Sequence, residues 1–330
     1  MKYRHILAGM AVGAMMLSCG KKESTLELSY PEFDGEKIEL ISFNDSTILQ
    51  TGMLTQGKAK FDNSELLSES GPQLAQIVID GRVKGFLVIE EGNLVLTDTM
   101  SVAKGSPMND LFAREISRLD SVENLNDMIA YAKFAQQKYN ENKGNVLGDY
   151  FGVEWLKYGE PKEVLAMLEQ APAKFRESKR VQRFARYAQL RGKTAVGEKF
   201  ADFETTLPDG KREKLSDFVK PGVYTLVDFW ASWCPYCIKE MPEVKALSEK
   251  YAGKLQVAGV AVRDEVADTD KAIAKHGITW PVMKNAAKIP YDVYGFSGIP
   301  YLILIGPDGT IIARGESAAQ TADRLAKLIK

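Results

Sequence analysis

Two cysteines, Cys234 and Cys237, stand three residues apart in the stretch Trp230-Ala231-Ser232-Trp233-Cys234-Pro235-Tyr236-Cys237. Ahead of them, Val223-Tyr224-Thr225-Leu226-Val227-Asp228-Phe229 is an apolar run that reads as a buried strand, and Ile238 to Leu247 behind them reads as a helix. A strand, a tight turn and a helix place Cys234 at the helix N-terminus and Cys237 one turn further in. There, unpaired backbone N–H groups and the positive end of the helix dipole stabilise a thiolate. Such a thiolate can attack a disulfide and then be released by the neighbouring thiol, which is thiol–disulfide exchange. The competing readings are half of a zinc site and a plain structural disulfide. Zinc normally takes four ligands. The chain has three cysteines and two histidines; Cys19 and His5 lie near the N-terminus and His276 stands unpaired in a charged segment. The ligand supply weighs against zinc, and redox chemistry is favoured with no metal and no cofactor.

Proton transfer must accompany that chemistry, because Cys237 has to lose a proton as it attacks a mixed disulfide. Asp228 lies on a strand that is expected to be buried, and an unpaired buried carboxylate has a raised pKa suited to the task. Pro235 removes one N–H near the sulfur but sits well at the first helical position.

The elements that must position these groups occupy the last part of the chain. A length of 330 residues favours two or more domains. A formal net charge of −1 leaves no basic surface for nucleic acid. Lys2, Arg4 and His5 form a basic start, Ile6 to Leu17 an apolar stretch, and Leu17-Ser18-Cys19-Gly20 follows. The pattern resembles a bacterial lipoprotein signal, in which cleavage before Cys19 leaves that residue lipidated. It implies residues 1–18 as signal peptide, 19–30 as tether, and a lipid anchor on the periplasmic side of the cell envelope. Gly20 offers no inner-membrane retention signal, so the outer membrane is favoured over the inner. With Cys19 lipidated, both remaining thiols belong to the motif.

Residues 31–106 read as short strands. Ile38-Glu39-Leu40-Ile41, Gln76-Ile77-Val78-Ile79, Gly85 to Glu90 and Leu94-Val95-Leu96 are separated by Gly, Asn and Asp, which predicts a small antiparallel sandwich without a site. Residues 107–192 change to helical period. Leu125, Met128, Ile129, Ala132, Ala135 and Tyr139 share a stripe, and Pro161 suits a helix start. This segment is expected to be a helical connector. Residues 193–330 follow: a turn at Leu207-Pro208-Asp209-Gly210, the strand before the cysteines, a continuous apolar strand from Leu255 to Val262, a short strand over 278–282, and a hairpin across Gly306-Pro307-Asp308-Gly309. An amphipathic helix closes the chain from Ala318. The order predicts an α/β domain with a mixed sheet and helices on both faces.

Residues from about 195 to 330 resemble the thioredoxin superfamily, specifically its TlpA/ResA type of membrane-tethered thiol–disulfide oxidoreductase. The resemblance is carried by Val227 to Cys234, by Cys237-Ile238-Lys239-Glu240-Met241-Pro242, and by Gly298-Ile299-Pro300. The front half resembles, more loosely, an uncharacterised N-terminal module fused to such domains in gram-negative lipoproteins. The resemblance implies Cys234 as an exposed attacking thiolate and Cys237 as the buried resolving thiol, the two forming the redox-active disulfide. It implies Pro300 as a cis-proline opposite the active-site turn, with the Ile299 backbone pairing with a substrate strand. Trp233 would flank the exposed sulfur and Trp230 would pack beneath it. Asp228 matches the buried Asp of thioredoxin and Glu240 a helix Glu that TlpA/ResA proteins place near the cysteines; Asp228 is favoured as the base. Pro235-Tyr236 departs from the commoner dipeptide and tunes redox poise, so reductase and isomerase are favoured and oxidase stays open. Partners would be thiol or disulfide proteins and an unidentified electron donor. The rival readings are a thiol peroxidase, weakened by Ala231 where a Thr is expected, a copper or haem carrier, and a non-catalytic lipoprotein that uses the fold as a scaffold.

Overall fold

The computed structural model describes residues 24–67, 71–123 and 127–329. They form two compact units, one of residues up to Ser42 with Ile48–Ile116, the other of Phe43–Thr47 with Ser117–Lys330.

The first unit contains β1 (Thr25–Ser29), β2 (Lys37–Ser42), β3 (Ile48–Met53), β4 (Lys58–Asp62), β5 (Gln73–Ile79), β6 (Arg82–Ile89) and β7 (Asn93–Thr97), followed by the start of α1 (Pro107–Glu123). One sheet has the order β3-β2-β5-β6 and is antiparallel throughout; the other has the order β4-β1-β7. Alternate residues of each strand turn inward, so Leu26 and Leu28, Ile38 and Leu40, and Leu94 and Leu96 meet in one core. The structure corrects two expectations here. Residues 25–29, assigned to a tether, form the middle strand of the smaller sheet, because Leu26 and Leu28 alternate with polar residues and have a core to enter. That sheet is also mixed, since β1 runs antiparallel to β4 but parallel to β7. Glu90 sits at the start of α1, where its Oε1 accepts from the Ser106 hydroxyl and from the Met108 and Asn109 N–H groups, satisfying donors that a helix start leaves open.

The second unit opens with helices. These are α2 (Met128–Glu141), α3 (Val146–Tyr158), α4 (Pro161–Gln170), α5 (Ala173–Glu177) and α6 (Lys179–Lys193). Asp127, Asn145 and Ser178 cap α2, α3 and α6 through their side-chain oxygens, and Pro161 begins α4, where its missing N–H costs nothing. The hairpin β8 (Glu204–Thr206) and β9 (Arg212–Lys214) leads to β10 (Tyr224–Trp230), α7 (Pro235–Lys250), β11 (Leu255–Ala261), α8 (Val266–His276), β12 (Val282–Met283), α9 (Ile289–Tyr294), β13 (Tyr301–Ile305), β14 (Ile311–Arg314) and α10 (Ala318–Leu328).

The central sheet has the order β12-β11-β10-β13-β14, with β10 parallel to β11 and antiparallel to β13. Period two in β10 divides its side chains. Leu226 and Trp230 join Cys237, Met241, Val244, Ala318 and Leu325 on the side of α7 and α10; Val227 and Phe229 join Tyr291, Tyr294, Phe203 and Leu215 on the other. Asp228 therefore shares the α7 side. The strand predicted over 278–282 is reduced to Val282–Met283: Pro281 has no N–H to give a ladder, and its carbonyl accepts from Gly259 at 2.9 Å.

Arg314 on β14 binds four parts of the second unit together. It donates from Nε to the Tyr301 hydroxyl at 2.8 Å and from its terminal nitrogens to the Tyr294 carbonyl at 2.6 Å and the Thr194 carbonyl at 2.5 Å. Arg314→Met strips these acceptors, a loss of about 3 kcal/mol. The transition of the second unit in calorimetry of the full chain then falls by about 5–10 °C; an unchanged transition would contradict this role.

Candidate active site

The site is built where β10 ends and α7 begins. Cys234 is the N-cap of α7 and Pro235 its first residue. The Cys237 N–H, one of the donors a helix start leaves unpaired, points to Cys234 Sγ at 3.1 Å. The two sulfurs are joined as a disulfide, with Cα atoms 5.3 Å apart. Pro242, inside α7, lacks the N–H of a helical residue, so one turn of the helix loses a hydrogen bond.

A second segment closes over the sulfurs. The loop Gly295–Pro300 runs from α9 to β13, its Ile299–Pro300 peptide is cis, and the Ile299 carbonyl oxygen stands 3.8 Å from Cys234 Sγ. The arrangement corrects one expectation. Cys234 was to be exposed, yet it is only 3% exposed, the same as Cys237. The Ile299 carbonyl covers it from a point 65 residues away in the chain, and both cysteines pack in one cluster with Trp230 and Met241. The open surface belongs to its neighbours: Trp233 is 52% and Tyr236 73% exposed, and Pro235 is exposed too.

Trp233 does not swing freely. Its indole N–H donates to the Arg263 carbonyl at 2.8 Å, and the Arg263 guanidinium lies over both the Trp233 and the Tyr291 rings. The preceding turn is pinned by Asp264, which accepts from the Ser232 N–H and hydroxyl at 2.7 Å each and from the Thr269 hydroxyl at 3.0 Å. Neither Arg263 nor Asp264 was singled out in the sequence. The available signal was position, since both directly follow the apolar strand β11 at its carboxyl end, where open α/β sheets gather their sites.

The two carboxylates predicted to handle the proton are separated by their surroundings. Asp228 is buried beneath α7, and its carboxyl is pushed up to about 7, first by burial and then by the charge of Glu240. Glu240 accepts from the Ala318 N–H at 2.6 Å, at the start of α10. Burial raises its carboxyl above the usual range, the Ala318 N–H pulls it back, and the Glu243 charge adds to the rise. Glu240 thus has a structural task of its own, while Asp228 is the group poised to hold a proton near neutrality. Cys19 lies outside the described residues. Among the described residues, no group of three or more His, Cys, Asp or Glu side chains is arranged to hold a metal ion, and no helix is long and apolar enough to cross a membrane.

Comparison with known proteins gives two findings on sequence. Residues 196–314 match the model of the AhpC/TSA family. Thiol-disulfide oxidoreductase ResA of Bacillus thuringiensis (strain Al Hakam) is 32% identical over 145 residues, which span 42% of this chain and 79% of that protein. The chain belongs to the ResA/TlpA type of the thioredoxin superfamily. It is a thiol–disulfide oxidoreductase. Among solved structures, the thioredoxin domain of a thiol-disulfide oxidoreductase from Bacteroides vulgatus is 26% identical, with a TM-score of 0.37, covering 41% of this chain and 99% of that one. A thiol:disulfide interchange protein from Bacteroides sp. is likewise 26% identical, with a TM-score of 0.37, covering 42% and 91%. The fold itself is read from the strand order and helix placement of this oxidoreductase.

A stability measurement tests the state of Asp228. Its carboxyl titrates near 7 when folded and near the ordinary ~3.9 when unfolded. Between those values, rising pH ionises the unfolded chain but not the folded one, so stability drains away and the loss is complete above about pH 7, on the order of 4 kcal/mol. Asp228→Asn has no proton to lose. Its melting temperature should therefore gain on the wild type steadily from about pH 4 to pH 7 and level off above; a gap independent of pH would contradict a protonated Asp228.

Proposed function

We propose that this oxidoreductase is held at the cell envelope by lipid on Cys19 and exchanges its Cys234–Cys237 dithiol and disulfide with protein substrates, chiefly as a reductase or isomerase. The observation that carries the site reading is the Cys237 N–H aimed at Cys234 Sγ beside the Ile299 carbonyl. The anchor rests on the run from Lys2 to Gly20, which supports a location on the periplasmic side, the outer membrane favoured over the inner.

In the reduced enzyme, the Cys234 thiolate attacks one sulfur of a substrate disulfide. A mixed disulfide forms and the substrate's other sulfur leaves as a thiolate, which takes up a proton. Cys237 then gives its proton to Asp228 and attacks Cys234 Sγ. The enzyme disulfide forms, the second substrate thiolate leaves, and two electrons have passed from enzyme to substrate. A dithiol donor reverses the sequence and restores the enzyme. The exposed Trp233 and Tyr236 surround the sulfurs with aromatic surface suited to polypeptide.

A thiol peroxidase is the second reading, since the AhpC/TSA model covers the domain. Ala231 occupies the position where a hydroxyl residue is expected, and Cys234 is already partnered by Cys237.

Insulin reduction with dithiothreitol as donor separates the readings. Wild type should turn over, Cys234→Ser should lose activity by roughly 10²-fold or more, and Asp228→Asn should slow release of the mixed disulfide by a similar factor at neutral pH. Equal rates for wild type and Cys234→Ser would indicate a scaffold, and turnover with hydrogen peroxide in place of insulin would favour the peroxidase.

A further inference from the structure

The loop that brings Ile299 to the sulfurs is held from outside the thioredoxin-like sheet. At its start, Gly295 has φ +68°, and a Cβ there would lie 2.1 Å from the Tyr187 carbonyl oxygen of α6, so α6 and the loop touch backbone to backbone. Four residues along α6, Arg191 is 8% exposed and donates to the Gly295 carbonyl at 3.3 Å, to the Leu156 carbonyl at 2.7 Å and to the Gly159 carbonyl at 3.2 Å. One buried guanidinium therefore ties the loop to the end of α3, and it leaves fewer of that helix's last carbonyls open.

The last residue of α3 is Tyr158. Its hydroxyl lies beside the side chain of Ser297, two residues before Ile299, which offsets part of what burial does to the phenol. The hydroxyl is enclosed, burial pushing its pKa up to about 12, and the ring packs edge-on against Tyr131 with centroids 5.1 Å apart. Yet the residue remains 42% exposed. Tyr158 is thus an aromatic side chain packed on Tyr131, with a face open to solvent, beside a loop residue two positions before Ile299. A rigid aromatic that loses little entropy on contact is the kind of residue that anchors a bound chain.

We propose that the helical segment is one wall of the substrate-docking surface: Arg191 and Ser297 fix the loop, and Tyr158 contacts the extended polypeptide that flanks the substrate's reacting cysteine. The inference rests on the reading that the site takes protein substrates. A polypeptide lying along the Ile299 loop extends past Ser297 toward Tyr158, whereas a small disulfide held at the sulfurs does not need that length of surface. Tyr158 is on this account a specificity residue, and Arg191 a positioning residue.

The test is steady-state reduction by the full chain of two substrates, insulin and the small disulfide oxidised glutathione. For insulin, Tyr158→Ala should raise KM about tenfold while kcat moves less than about twofold. Tyr158→Phe, which keeps the ring, should restore most of the loss, and Ser297→Ala, which leaves the Tyr131 contact intact, should raise KM roughly threefold. Wild type that reduces insulin, with both Tyr158→Ala and Ser297→Ala within twofold of its KM, overturns the docking surface alone. Wild type that reduces glutathione disulfide but not insulin overturns the protein-substrate reading and the docking surface together.

Discussion

A single backbone N–H, that of Cys237, points at Cys234 Sγ because α7 starts at that sulfur. Everything else in the site either delivers this helix start to the right place or brings a partner to it. β10 lies in the middle of the sheet with a strand on each side, so its end is a fixed point from which the turn departs. Asp264 holds the Ser232 end of that turn, Arg263 holds the Trp233 ring, and α7 itself carries Cys237 onto the inner face of the sheet. A sulfur placed so has a stabilised anion as its reactive form, which is what exchange chemistry needs.

Burial does opposite things to the two kinds of acid here. At Asp228 it disfavours the charged form and keeps a proton in place near neutrality. At Cys234 the helix start counters the same burial by offering a donor. With its carboxyl near 7, Asp228 is partly ionised at neutral pH, and that carboxylate form can take the Cys237 proton during resolution. Glu240 contributes from a distance: its charge raises Asp228 while its carboxylate stabilises the first turn of α10.

The parts of this that were legible in the sequence are those encoded within a few residues. The apolar runs at 224–230, 255–261 and 301–305 announced their strands, and a cysteine followed by proline announced the start of α7. β1 was obscured because its two leucines alternate with polar residues next to a segment that reads as a tether, and β3 and β4 because edge strands keep much of their surface in water. Contacts that cross the chain were legible only through the resemblance, which set Ile299 and Pro300 opposite the active-site turn. Spacing around Cys234 does not foretell that the Ile299 carbonyl will bury it, and nothing near Tyr158 or Arg191 foretells that they will lie beside Ser297 and Gly295. A helical stretch with ordinary periodicity read as a connector, because periodicity reports which face is buried and not what it is buried against.

The most direct test of the account is the pH dependence of alkylation of Cys234 in the reduced protein, followed by iodoacetamide under pseudo-first-order conditions in a Cys237→Ser background. The helix start predicts a midpoint at least about one pH unit below the ~8.5 of an ordinary cysteine. A midpoint at or above that value would mean that the Cys237 N–H and the α7 dipole leave the sulfur unchanged, and the central claim would fail.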